Sequence, residues 1–268
     1  VMARRWFYPG VFPNVDQVIA GLEGARHGAV IYIGINEGDQ IGQGGDALRQ
    51  RARLDVAVAQ RIKQLNPEAT YAAGTFSMGT PDFTNASDCQ IISGLLAFDM
   101  HLYSPTMGHI DQPGEHIWYE RRWEFLFTRC GFDPRVRSIF CSECGLDEGG
   151  VGGFPAHGAS TTYFHDWCRK YVALQNAPLV VNGVAYPSPI RGGAIFQLGG
   201  NTDPRWAGYN IAGYLSELSA FYGDNSTPTP TPTDTRMPPT STPTPLRKMV
   251  IRNWIPLVHG EPRPTATP

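Results

Sequence analysis

The chain has 268 residues, 41% hydrophobic and 11% aromatic, enough to build a sizeable core. Only 17% of its residues are charged and the net charge is −2, with no basic block, so nothing in it is built to bind a polyanion. No apolar run approaches the roughly 20 residues that a bilayer-spanning helix needs.

Val1–Trp6 carries two arginines but no apolar stretch after them, which is unlike a signal peptide. The expectation is that the natural start lies upstream. A short helix over Val15–Gly24 precedes the first of five near-continuous apolar runs: Ala29–Ile35, Ala69–Phe76, Leu95–Tyr103, Val136–Glu143 and Gly193–Leu198. Strands of a parallel sheet buried on both faces read this way. Between them lie helical patterns. Asp46 caps a helix with Leu54, Val58, Ile62 and Leu65 on one face, closed by Asn66-Pro67. Residues 82–92 read as a short helix or a loop. Tyr119, Trp123, Leu126, Phe127 and Cys130 share a helical face that Gly131 ends. Tyr163, Trp167, Tyr171 and Leu174 mark another, and Ile211, Leu215, Leu218 and Tyr222 a last one.

Strand and helix in alternation predict an α/β protein with a parallel sheet, either doubly wound or a (β/α)8 barrel. No strand is followed by Gly-x-Gly-x-x-Gly, and Gly42–Gly45 lacks the Lys-Ser/Thr of a phosphate loop, so no nucleotide cofactor is expected. From Asp224 the composition changes to Thr-Pro repeats that cannot bury a core. The domain reading is therefore a folded unit over 1–223, an extended linker over 224–246 and a short tail over 247–268. A linker of this kind suits an extracellular or cell-surface setting, with the apolar tail segment Val250–Val258 as a point of attachment.

Five cysteines leave at least one thiol unpaired, and Cys141 and Cys144 form a CxxC. There is neither a second CxxC nor a His-x3–5-His, so no metal is expected and buried free cysteines are.

The chemistry-bearing residues fall at strand ends. The first apolar run ends in Asn36-Glu37 and the fourth in Ser142-Glu143. Burying an ionisable glutamate at the end of an apolar strand is costly unless it has a use or a partner. Two such carboxyl groups are what glycoside hydrolysis requires, one protonated toward the leaving oxygen and one ionised. The sequences YIGINEGD and SIFCSECG resemble the strand-4 and strand-7 motifs of the clan of retaining (β/α)8-barrel glycoside hydrolases that includes cellulases, mannanases and β-1,3-glucanases.

The resemblance implies an incomplete barrel, with strands 4–8 present and no room before them for strands 1–3. It implies Glu37 as acid/base, Glu143 as nucleophile and Asn36 on the sugar 2-hydroxyl. His101 and Tyr103 would lie on strand 6, Tyr103 against the nucleophile. Gln197 ends the last strand where the clan commonly has a tryptophan, and Trp206 could serve in its place; Gly38 stands where many members have proline. The function so implied is hydrolysis of a β-linked polysaccharide or oligosaccharide by double displacement. The alternative is a non-catalytic surface barrel that holds glycan. No Gly-x-Ser-x-Gly or His-Glu-x-x-His supports another hydrolase chemistry.

Overall fold

A computed structural model describes residues 2–4, 13–23, 31–35, 45–77, 81, 83–148, 152–196 and 208–214. Its main sheet has six parallel strands: β1 (Met2–Arg4), β2 (Ile31–Ile33), β3 (Thr70–Phe76), β4 (Ala97–Ser104), β5 (Ser138–Leu146) and β8 (Ile190–Ile195). They lie side by side in chain order. A doubly wound sheet reverses direction partway, whereas crossovers that always step the same way and keep one hand place their helices on one face. The result is a curled parallel sheet, compatible with an incomplete barrel.

The segment before Ala29 holds more than the single expected helix. The three-residue β1 pairs in parallel with β2, Met2 opposite Ile31 and Arg4 opposite Ile33. Helix α1 (Val15–Glu23) follows, opened by a reciprocal capping box in which Asn14 and Gln17 each bond the other's backbone N–H at 2.9 Å. It buries Val18, Ile19 and Leu22. Helix α2 (Gly45–Leu65) turns Leu54, Val58 and Ile62 inward as expected, but Leu65, at its last position, is 38% exposed. Residues 82–92 resolve into α3 (Ala86–Ile92), capped by Asn85.

The pattern over 119–130 does not form one helix. It breaks into 3-10 turns at His116–Trp118 and Arg122–Glu124 and a single α turn, α4 (Phe125–Thr128). Tertiary hydrogen bonds outweigh the helical period here. Arg121 donates to the Leu174, Ala177 and Pro178 carbonyls, and Arg122 to those of Ser77 and Pro81. Gln175 reaches the Glu120 carbonyl at 2.6 Å. Helix α5 (Thr161–Asn176) is capped by Ser160 and buries Phe164, Trp167 and Tyr171. Between α5 and β8 an unanticipated hairpin, β6 (Leu179–Val181) and β7 (Val184–Tyr186), turns at Asn182-Gly183, with φ of +51° and +77°. After β8, Ile211–Tyr214 is a 3-10 turn where a helix was expected. Leu215, Leu218, Tyr222, the linker and the tail lie outside the described residues.

One extensive apolar core joins the helices to the sheet; a small cluster of Ile33, Ala72, Ala97 and Phe140 lies apart from it, on the other face. The pairing of the five cysteines, open in the sequence, is settled for two of them. Cys89 of α3 and Cys130 after α4 form a disulfide closing a 41-residue separation, a constraint worth about 4 kcal/mol on chain-entropy grounds. Cys141, Cys144 and Cys168 are free and buried.

The exit of β2 is tied down by a buried ion pair on α2. Arg51 bonds Asp55 at 2.9 Å and donates to the carbonyls of Ile35 at 2.7 Å and Gly74 at 3.3 Å. Asp55 accepts from the Tyr71 hydroxyl at 2.7 Å and the Gly74 N–H at 3.1 Å. Burial, followed by the Asp55 charge, holds the Tyr71 phenol well above its usual range, so it remains a donor. Arg51→Met would strand the Asp55 carboxylate. It should lower the unfolding free energy by about 3–5 kcal/mol in chemical denaturation, and Asp55→Leu added to it should recover much of the loss.

Candidate functional site

The site grows from the pairing of β4 with β5. On β4, Asp99, His101 and Tyr103 alternate onto one face, while Phe98, Met100 and Leu102 pack into the helix-side core. His101 pairs in register with Glu143. Glu143 Oε2 accepts from the Tyr103 hydroxyl at 2.8 Å and lies 3.4 Å from His101 Nδ1. All three are nearly enclosed, His101 at 1%, Tyr103 at 6% and Glu143 at 7% exposure. Burial first, then the Glu143 charge and the hydrogen bond to it, push the Tyr103 phenol well above its ordinary range. Tyr103 therefore stays protonated and donates to the carboxylate.

Strict alternation along β5 would turn Glu143 the wrong way. Ile139, Cys141, Cys144 and Leu146 all belong to the helix-side core, and Phe140 to the small cluster on the opposite face. Ser142 and Glu143, although consecutive, both reach that opposite face, Ser142 to Asp99 and Glu143 to Tyr103. The registers give the reason. Phe140 and Glu143 pair with Asp99 and His101 on β4, and Cys141 and Cys144 with Gly193 and Ile195 on β8. In both cases β5 spends three steps against the neighbour's two. It carries a one-residue bulge, which re-aims the side chains after it.

The bulge also accounts for the CxxC. With one residue added between them, both cysteines face the helix layer, where their thiols serve backbone carbonyls at the irregularity. Cys141 Sγ donates to the Glu143 carbonyl at 3.1 Å and Cys144 Sγ to that of Ala194 at 3.3 Å. Burial first, and then Cys141, hold the Cys144 thiol well above its usual range; burial pushes Cys168 up to about 12. Thiols kept protonated in this way are poor nucleophiles and poor metal ligands. Among the described residues no group of three or more His, Cys, Asp or Glu is placed to hold a metal ion.

Around the carboxylate stand residues that sequence reasoning passed over. Tyr209 packs edge-on to Phe196 and clusters with Tyr103, and its hydroxyl donates to Asp147 Oδ1 at 2.8 Å. Asp147 is thus half-buried just past β5. Glu148 is exposed, 3.5 Å from His157 Nδ1. Ser104, next to Tyr103, donates to Glu120 Oε1 at 2.6 Å and accepts from Trp167 Nε1 at 2.9 Å, fixing the end of β4. Asp99 had a visible signal, an acid in the middle of an apolar strand; Tyr209 had none, since only the fold brings it to β5.

Of the expected site residues the structure thus joins Glu143, His101 and Tyr103. Asn36, Glu37, Gln197 and Trp206 lie outside the described residues, Asn36 immediately after the Ile35 carbonyl that Arg51 holds. A cavity of about 700 Å³ lined by Leu95, Leu96 and Val136 sits at the opposite, N-terminal end of β4 and β5 and has no part in this site. Compared with known proteins, the chain matches no family model and no curated sequence.

Tyr103→Phe keeps the ring and removes the donor. The loss of a hydrogen bond to an enclosed carboxylate should cost about 1.5–3 kcal/mol in urea denaturation. Unchanged stability would mean that the hydroxyl and Glu143 do not bond.

Proposed function

We propose that the chain carries the catalytic residues of a retaining glycoside hydrolase acting on β-linked glycan, built on a (β/α)8-type barrel. The observation that carries this reading is the Glu143 carboxylate, turned by a bulge out of the helix-side core onto Tyr103 and His101, three residues short of the C-terminal end of β5. Parallel α/β barrels build their active sites at that end of their strands.

In this reading Glu143 attacks the anomeric carbon as the glycosidic bond breaks, and Glu37 gives its proton to the departing oxygen. Water then adds to the anomeric carbon of the glycosyl-enzyme, Glu37 takes its proton, and Glu143 leaves as a carboxylate. Tyr103 contributes by fixing the carboxylate through Oε2, which prepares it for attack without reorganisation at the moment of reaction. The Thr-Pro stretch after residue 223 supports an extracellular setting for such an enzyme.

The test is reducing-sugar release from β-1,3-glucan, β-1,4-glucan and mannan, and cleavage of aryl β-glycosides, by the full chain and by Glu143→Gln. Turnover should fall by about three orders of magnitude or more in the variant, and the first-formed product should keep the β-anomeric configuration by NMR. Turnover retained in Glu143→Gln would end the assignment. Glycan binding without cleavage by the unsubstituted chain would favour the non-catalytic role.

A further inference from the structure

We infer that Asp99 is a positioning residue for Glu143, acting through Ser142 to hold the β5 bulge in the form that aims the carboxylate. The inference rests on the glycosidase reading for its consequence in catalysis, but its structural content stands apart from it.

A bulge leaves backbone groups without ladder partners. At β5 the chain offers two residues against the single Met100 of β4 and the single Ala194 of β8, so the donors and acceptors of this step need other partners. Asp99 supplies one side. Its Oδ1 accepts the Ser142 N–H at 2.7 Å and its Oδ2 the Ser142 hydroxyl at 2.6 Å, a two-point clamp on a single residue. The cysteine thiols serve carbonyls from the other face of the strand. With Ser142 clamped by Asp99 and the Glu143 carbonyl bonded by Cys141, the bulge keeps both residues on one face, and Glu143 stays where Tyr103 and His101 stand.

Asp99 is fully buried and Ser142 almost so. A carboxylate taken out of water costs several kcal/mol unless hydrogen bonds replace its hydration. An apolar residue at position 99 would fit the strand's pattern, yet it could not receive Ser142. What Asp99 adds is a fixed bulge, and a misplacement of about 1 Å at a reacting group is enough to cost about a hundredfold in rate.

Two variants test this in the full chain. Asp99→Asn replaces one of the two acceptors, and Ser142→Ala removes one of the two donors; the milder Ser142→Ala keeps the test open if Asp99→Asn does not fold. Crystal structures should show the Tyr103 Oη to Glu143 Oε2 distance opening from 2.8 Å to beyond 3.5 Å. On an aryl β-glycoside, kcat should fall about 10- to 100-fold while KM stays within about threefold, and the double variant should be no worse than the poorer single one, because both act through one clamp. A distance unchanged in both variants would overturn the inference, as would losses confined to KM or to thermal stability. The distance is readable even if no glycoside is cleaved, so a failure of the glycosidase reading and a failure of this one are told apart.

Discussion

One additional residue in β5 decides what this sheet can do. In a parallel strand buried on both faces, alternation assigns every side chain to a layer, and Glu143 by that rule would enter the apolar layer under the helices. The bulge at Ser142-Glu143 moves it to the other face, beside a protonated tyrosine and a histidine. The contacts of Glu143 with Tyr103 and His101 follow from that displacement. Asp99, Cys141 and Cys144, which look unrelated in sequence, are joined by it, since each bonds a backbone group at the irregularity.

A second bulge repeats the arrangement with different partners. On β3 the register slips between Ala73 and Phe76, where Gly74 and Thr75 adopt φ of +89° and +36°. Gly74 is required there, because a Cβ would come within 2.7 Å of the Phe76 ring in a conformation that L-residues disfavour. Its N–H and carbonyl go to Asp55 and Arg51 of α2. The same arginine holds Ile35 at the exit of β2, and Arg122 holds Ser77 at the exit of β3. Two buried guanidinium groups thus fix where successive strands leave the sheet, on the end at which Glu143 stands. Guanidinium suits the task because it remains charged when buried and offers several donors in a fixed plane.

The sequence made much of the fold legible because parallel strands buried on both faces announce themselves as apolar runs, and β3, β4 and β5 are buried along nearly their whole length. His101 and Tyr103 were legible as a pair, since residues two apart on a strand share a face. The aim of Glu143 was not. It depends on a residue count relative to two neighbouring strands, which no local pattern carries. The stretch over 119–130 has a helical period but is shaped by what Arg121 and Arg122 reach, and those carbonyls are distant in sequence. The Cys89–Cys130 bridge likewise needs α3 and the end of α4 side by side. The hairpin at Asn182-Gly183 was different: its turn dipeptide stands in the sequence and marks the turn by itself.

The account comes down to one atom pair, a Glu143 oxygen and the anomeric carbon of a bound sugar. Its most direct test is to treat the active full-length protein with a 2-deoxy-2-fluoro-β-glycosyl fluoride, which slows release of a glycosyl-enzyme, and to map the adduct by peptide mass spectrometry. The account predicts a single glycosyl group on Glu143, absent from Glu143→Gln. An adduct on another carboxylate, or full inactivation with Glu143 unmodified, would contradict it.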